Sequence, residues 1–280
     1  MQAGLFVPKR FMKISECWVM VRGGGDLATG TIAMLHQCGF KVIVLECEQP
    51  TAIRRMAAFC EAVYLGHMEV EGLQAVRVAS WEAAMDCIRA GQIPVVKDEK
   101  GIWIEKYKPD IVVDGIIAKR NLGTRMDMAP LVIGLGPGFY AGKDVHVVIE
   151  TMRGHRLGRV ITQGAALENT GIPGVIAGYS SQRVIHAPSA GTMINKAAIG
   201  DIVSQGQVIA MIDHVPVYAT IDGVLRGLLR DGLYVTKGFK IADIDPRLSE
   251  KENCVTISDK ARTIGGGVLQ AILMYGNIDR

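Results

Sequence analysis

The sequence predicts an α/β chain: a parallel sheet flanked by helices, then a small all-β unit, then a C-terminal helix. Three observations carry this. Short apolar runs alternate with helix-patterned segments as far as about residue 180. Residues 185–245 read as two copies of one glycine-punctuated β pattern. Residues 258–275 return to helical character. The divisions expected are a lead-in over 1–15, a ligand-binding sheet domain over 16–182, a β domain over 183–248, and a tail over 249–280 whose helix packs on the main domain.

Composition narrows the function classes. The chain has 280 residues, 49% hydrophobic and 21% charged, enough for real cores and unlike a disordered chain. A net charge of +3 and 6% aromatic residues argue against nucleic acid as a partner. No apolar run is long enough to span a bilayer, and the first ten residues lack the apolar centre of a signal peptide. A cytoplasmic protein without a membrane partner is expected. The six cysteines form no C-x-x-C pair and read as reduced, mostly buried thiols.

The first element pair is the most informative. Residues 17–21 are a strand, followed by Arg22, Gly23, Gly24, Gly25, Asp26, Leu27, Ala28 and Thr29, then a helix to Gly39 and a second strand ending at Glu46. Gly23, Gly25 and Ala28 stand in the G-x-G-x-x-G/A register of a Rossmann-like dinucleotide unit. The first glycine permits the turn, the second admits a phosphate, and the small third residue lets helix and strand approach. The helix N-terminus suits an anion, and Glu46 stands where such units bind ribose. Asp26 opposes a diphosphate and either caps the helix or is offset by Arg22. A structural glycine turn that binds nothing is the plain alternative.

Further along, residues 52–60 are expected to be a helix carrying Arg54 and Arg55, and residues 62–65 a strand. Residues 73–78 read as a strand. Ser80 caps a helix running to Gly91, and residues 93–96 and 110–114 are buried strands. The basic segment containing Lys119, Arg120, Asn121 and Arg125 follows, then a strand leading into Gly136, Pro137 and Gly138. The amides of Gly136 and Gly138 suggest an anion nest, and the basic side chains a second anionic contact, against a loop that is merely basic. Asp144, His146 and Glu150 fall on one face of a strand over 145–151. No second histidine stands at a ligand spacing, so a solvent-facing edge strand is expected there, and no metal.

Residues 185–213 align without gaps on 217–245, with Ala187/Ala219, Gly191/Gly223, Gly200/Gly232, Val203/Val235, Gly206/Gly238, Ile209/Ile241, Ala210/Ala242, Ile212/Ile244 and Asp213/Asp245 identical. Neither half can bury its apolar face alone, so the two should pack as one small sandwich. The pieces around Ala187-Pro188 and 200–207 resemble the biotinyl/lipoyl-type barrel-sandwich hybrid. The carrier lysine is replaced by Asp213-His214, which argues against a covalent carrier. In the C-terminal helix, Gly265-Gly266-Gly267 lowers propensity, in favour of close packing or a bend.

Together V-R-G-G-G-D-L-A-T-G, Q-P-T-A-I-R-R, I-A-K-R-N-x-G-T-R and V-I-G-L-G-P-G-F-x-A-G-x-D-V-H-x-V-I-E-T-M-R-G resemble the YqeB family over most of residues 17–275. That family is associated with selenium-dependent molybdenum hydroxylases. The resemblance implies an accessory or maturation protein with a hydroxylase or other maturation factors as partners. By analogy with xanthine dehydrogenase accessory factors, it implies handling of molybdenum cofactor or its dinucleotide form. The same residues then have roles: 23–28 for a diphosphate, Glu46 for a ribose, and Lys119, Arg120 and Arg125 for further oxygens, with Arg22 and Thr29 beside the loop. Cys47 is the first thiol to test as a sulfur or selenium carrier. Two other readings stand beside it. An NAD(P)-dependent oxidoreductase needs an acid/base pair that the glycine loop lacks. A non-catalytic scaffold would dock a partner through the β unit. Self-association is compatible with all three.

Overall fold

Strong β formers in near-continuous apolar runs build strands buried on both faces. Trp18–Arg22 (β1) and Lys41–Glu46 (β2) flank the first helix, Asp26–Gln37 (α1). The computed structural model describes residues 12–171, 174–275 and 278–279, so most of the expected lead-in, residues 1–11, lies outside the described residues. The chain divides into two compact units. Unit 1 comprises Met1–Pro50, Phe59–Asn169 and Ile257–Arg280; unit 2 comprises Thr51–Ala58 and Thr170–Thr256.

Unit 1 is a mixed α/β unit with a large, mostly parallel sheet. After a one-turn helix Ala62–Leu65 (α2) come His67–Val70 (β3), Leu73–Val78 (β4), helix Trp81–Arg89 (α3) and Ile93–Lys97 (β5). Helix Ile102–Tyr107 (α4), Ile111–Asp114 (β6), Leu131–Leu135 (β7), Val147–Ile149 (β8) and Val160–Ile161 (β9) complete the sheet. The nine strands lie in the order β9-β8-β7-β6-β1-β2-β5-β4-β3. The six from β5 to β8 are all parallel and, numbered among themselves, run 3-2-1-4-5-6. The order reverses between β1 and β6. Ligand crevices form at such a reversal, outside the carboxyl ends of the strands.

Among its described residues unit 2 has eight strands: Val184–His186 (β10), Gly191–Asn195 (β11), Ile202–Val203 (β12), Val208–Ile212 (β13), Val215–Tyr218 (β14), Gly223–Leu228 (β15), Tyr234–Val235 (β16) and Lys240–Asp245 (β17). They form two sheets, β10-β17-β15-β12 and β14-β13-β11-β16. Moving one half-repeat along the chain turns the first order into the second. Each sheet therefore draws strands from both halves, which is why the aligned halves need each other.

The last helix, Asp259–Tyr275 (α5), belongs to unit 1 and crosses α1 at glycine. A Cβ on Gly265 would lie 2.7 Å from the Gly30 carbonyl oxygen, and one on Gly30 would strike the Ala261 backbone. Gly267 likewise abuts Gly158. Close packing, not a bend, accounts for Gly265 and Gly267. Ala28, Ile32, Leu35, Ile264, Val268 and Ile272 are fully buried in the same core.

Three expected elements differ. Residues 52–60 hold two 3-10 turns, Arg55–Ala57 and Phe59–Glu61, instead of a helix. Within unit 2 the Ile53 carbonyl accepts from Leu228 N–H at 2.8 Å and Arg55 Nε donates to the Leu228 carbonyl at 3.2 Å, so this carbonyl is bound by β15 instead of by a following helical turn. The apolar run 62–65 coils into α2 before Gly66 at φ +85°; so short a run has no period to read. Strand β8 keeps only three residues and lies inside the sheet, not at a solvent-facing edge. The unforeseen β3 pairs with β4 across Glu71-Gly72, whose φ values of +50° and +79° suit a two-residue hairpin. No helix among the described residues is long and apolar enough to cross a membrane.

Candidate functional site

The carboxyl ends of β1, β2, β6 and β7 gather most of the residues singled out in the sequence. Gly23 takes φ +88°, and a Cβ there would stand 3.0 Å from Ile116 Cα, so backbone meets backbone. Its N–H donates to the Leu45 carbonyl at 2.7 Å. Gly24 N–H donates to Glu46 Oε2 at 2.7 Å, while Glu46 Oε1 accepts from Cys47 N–H at 2.8 Å. The first two loop amides are thus engaged inside the protein. Gly25 differs: it is the N-cap of α1, and a Cβ there would meet nothing within 4 Å among the described residues, its chain neighbours apart.

Ala28 and Thr29 are structural. A Cβ on Gly115 would stand 2.9 Å from Ala28 Cβ, which is the close helix–strand approach that its small side chain allows. Thr29 Oγ1 donates to the Gly25 carbonyl at 2.9 Å and accepts from Phe59 N–H at 3.0 Å. The turn Phe59–Glu61 is thereby held against the loop, with Cys60 N–H on the Gly24 carbonyl at 2.9 Å. The carboxylates of Asp26, Glu46 and Glu61 all bear on Cys60, so this side of the loop is acidic.

Arg22 is not free to meet a ligand. It is 4% exposed and bonds Thr124 Oγ1, the Glu99 carbonyl at 3.3 Å, the Leu122 carbonyl at 3.4 Å and Asp114 Oδ2 at 3.5 Å. Thr124 Oγ1 donates to the same Asp114 oxygen at 2.5 Å. Burial pushes the Asp114 carboxyl above its ordinary range, opposed by Thr124 and Arg22. This buried set pins the loop 115–125 onto the end of β6.

That loop is strained. Ile117 and Lys119 adopt φ +59° and +61°, and a β-branched residue is seldom found there. Lys119 and Arg120 are exposed. Asn121 is engaged in shaping the loop: its Oδ1 accepts from Gly123 and Thr124 N–H at 2.9 and 2.7 Å. Arg125 is exposed and pairs with Asp127 at 2.9 Å. Gly138, at φ +108°, lies against Arg120, whose Cα would be 2.7 Å from a Cβ. Gly136 N–H donates to the Ile149 carbonyl at 2.9 Å, so the expected amide nest has one member turned inward.

The expected row Asp144, His146 and Glu150 does not converge. Asp144 accepts from Tyr140 N–H, His146 Nδ1 from Val132 N–H, and Glu150 from Met152 and Leu167 N–H, all at 2.7–2.9 Å. Among the described residues no group of three or more His, Cys, Asp and Glu side chains is placed to hold a metal ion. All six cysteines are free thiols. Burial, with Glu46 beside it, pushes the Cys47 thiol up to about 12, so it is protonated and unreactive near neutrality. The sequence does not single out Asp114 and Thr124; an acid and a threonine ten residues apart carry no spacing signal until the sheet brings β1 with Arg22 beside β6.

No protein-family model matches the chain. It is similar to the uncharacterized protein YqeB of Escherichia coli (strain K12), 53% identical over 256 residues, which is 91% of this chain and 47% of the relative. The chain thus spans about half the length of the curated relative it matches. This similarity supports the YqeB family for most of the chain. Among solved structures, an aspartoacylase family protein from Mesorhizobium loti overlaps 82% of this chain and 86% of its own, at 12% identity and a TM-score of 0.28. The product-bound ectoine utilization protein EutE of Ruegeria pomeroyi overlaps 85% and 87%, at 12% identity and a TM-score of 0.27. Overlaps this loose carry no argument.

Proposed function

We propose that the chain binds a nucleotide-bearing cofactor at the carboxyl edge of the unit 1 sheet, as an accessory protein in the maturation of molybdenum hydroxylases. The observation that carries the binding step is the 3-2-1-4-5-6 strand order with the N-terminus of α1 and the open side of Gly25 at its reversal point. The maturation role rests on the family resemblance alone.

The residues fit a nucleotide in a particular way. Phosphate suits Gly25 and the first turn of α1, where no protein atom fills the space beside Gly25. Glu46 accepts two amides, and a carboxylate has further lone pairs for ribose hydroxyls. Lys119 and Arg120, exposed on the strained loop, suit the more distant anionic oxygens. Molybdopterin dinucleotide, when bound, would supply the metal-ligating dithiolene; this chain would hold and orient its phosphates and ribose. The acids around Cys60 disfavour a bare polyphosphate on that side. We read unit 2 as a barrel-sandwich hybrid, because its two sheets exchange under the half-repeat.

Isothermal titration with molybdopterin dinucleotide, NADH and NADPH tests the proposal. Micromolar or tighter binding of molybdopterin dinucleotide, lost in Gly25→Asp, is expected. Affinity for NADH or NADPH alone would favour the oxidoreductase, and no affinity for any of the three would end the nucleotide reading. Removing both charges with Lys119→Ala and Arg120→Ala should weaken binding by about 1–2 kcal/mol, because exposed charges are screened.

A further inference from the structure

Unit 1 has a cavity of about 430 Å³ that the nucleotide site does not use. It lies at the amino edge of the parallel strands, opposite the edge that carries Gly25. Lys108 and Asp110 stand just before β6, Pro130 just before β7 and His146 just before β8, and the 3-10 turn Met126–Met128 forms a further wall. The volume falls in the range of about 300–1,000 Å³ usual for small-molecule sites.

The polar part of the wall is preformed. Asp110 Oδ2 accepts from Trp18 N–H at 2.9 Å, the one hydrogen bond of this carboxylate among the described residues. A carboxylate has about four lone-pair sites, so most of its capacity is left over. His146 is clamped to Val132 through both Nδ1 and its backbone N–H, each at 2.9 Å. The other acid on the wall, Asp127, is paired with Arg125. Lys108 is exposed and has no ion pair among the described residues. It ends helix α4 at φ +47°, a left-handed position where glycine is usual and a lysine is strained. One cavity is thus lined by a cation and an anion, two residues apart, that do not meet.

We propose that this cavity is a second ligand site and takes a free α-amino acid with an apolar side chain. Its ammonium group suits Asp110 and its carboxylate suits Lys108. A ligand with one charge would leave the other wall charge unmatched in a partly closed space. The rest of the wall is mostly apolar, and the thioethers of Met126 and Met128 adapt to irregular side chains.

Isothermal titration of the full chain with L-leucine, L-methionine and L-phenylalanine tests this. At least one should bind with a dissociation constant below about 1 mM. Glycine, which lacks the apolar body, should bind at least roughly tenfold more weakly, as should the amine and the acid that each lack one charge of the best ligand. For leucine these are isoamylamine and 4-methylpentanoate. Asp110→Asn keeps an acceptor for Trp18 N–H and should weaken binding by roughly tenfold or more, as should Lys108→Met. Ala129→Phe fills the cavity from a half-buried position and should abolish binding, which keeps the test decisive if Asp110→Asn fails to fold. Gly25→Asp should leave the amino-acid affinity unchanged, since the nucleotide site lies at the other edge. No binding of any of the three at about 10 mM would overturn the proposal. So would binding that survives Ala129→Phe, or an amine or acid that binds as well as the amino acid.

Discussion

At the residue scale, Gly25 and Arg22 separate binding from support. Gly25→Asp places a carboxylate where the proposed phosphate would come, with nothing among the described residues, its chain neighbours apart, within 4 Å of the new Cβ. Ligand affinity should be lost while the melting temperature stays within a degree or two; a parallel loss of stability would mean the loop is packed in a way the open space denies. Arg22→Met does the opposite. It leaves Asp114 buried without its cation, a change that typically costs about 3–5 kcal/mol. The folded-state pKa of Asp114 is already raised by burial, and removal of Arg22 raises it further. The folded protein then takes up a proton before the unfolded chain does. The deficit in urea unfolding should therefore shrink as pH falls towards 5 and persist above neutrality.

At the element scale, α1 and α5 depend on glycine, and β7 on a histidine. Gly30→Ala drives a methyl into the Ala261 backbone. Overpacking of this kind should cost about 1–3 kcal/mol, read as a lower urea midpoint at unchanged slope. His146 and Val132 clasp each other, N–H to carbonyl at 2.9 Å and N–H to Nδ1 at 2.9 Å. Burial lowers the His146 pKa below its ordinary value of 6.5. As pH falls through 6.5 the unfolded chain is protonated first, so stability falls with it. His146→Gln should flatten that slope between pH 7 and 5; His36, lowered for the same reason, leaves a residual.

At the scale of the whole molecule, unit 2 folds only as a pair of halves. Each sheet interleaves strands from both, as in β10-β17-β15-β12. A fragment covering residues 184–213 should show no cooperative thermal transition. A circular dichroism melt of the half-fragment with a sigmoidal transition would contradict the interleaving. The crossing segment Thr51–Ala58 also explains why the two units are not consecutive in the chain.

The sequence by itself marked the buried parallel strands of the sheet, because they leave unbroken apolar runs, though not the edge strand β3, and it marked the half-repeat, because identical glycines mark identical turns. It placed Gly25 at the start of a helix and Glu46 at the end of a strand through the spacing that a strand–turn–helix unit imposes. Only the tertiary structure decided which of the marked polar residues are available. Arg22, Asn121 and the Gly24 amide look like ligand contacts in a string of letters, yet Asp114, Thr124 and Glu46 claim them once β1 lies between β2 and β6. Residues 52–60 have helical composition but form only short 3-10 turns, because Leu228, far away in sequence, binds Ile53 and Arg55. Local patterning sets periodicity and turns; the partner of each buried polar group is set by which distant strand becomes its neighbour.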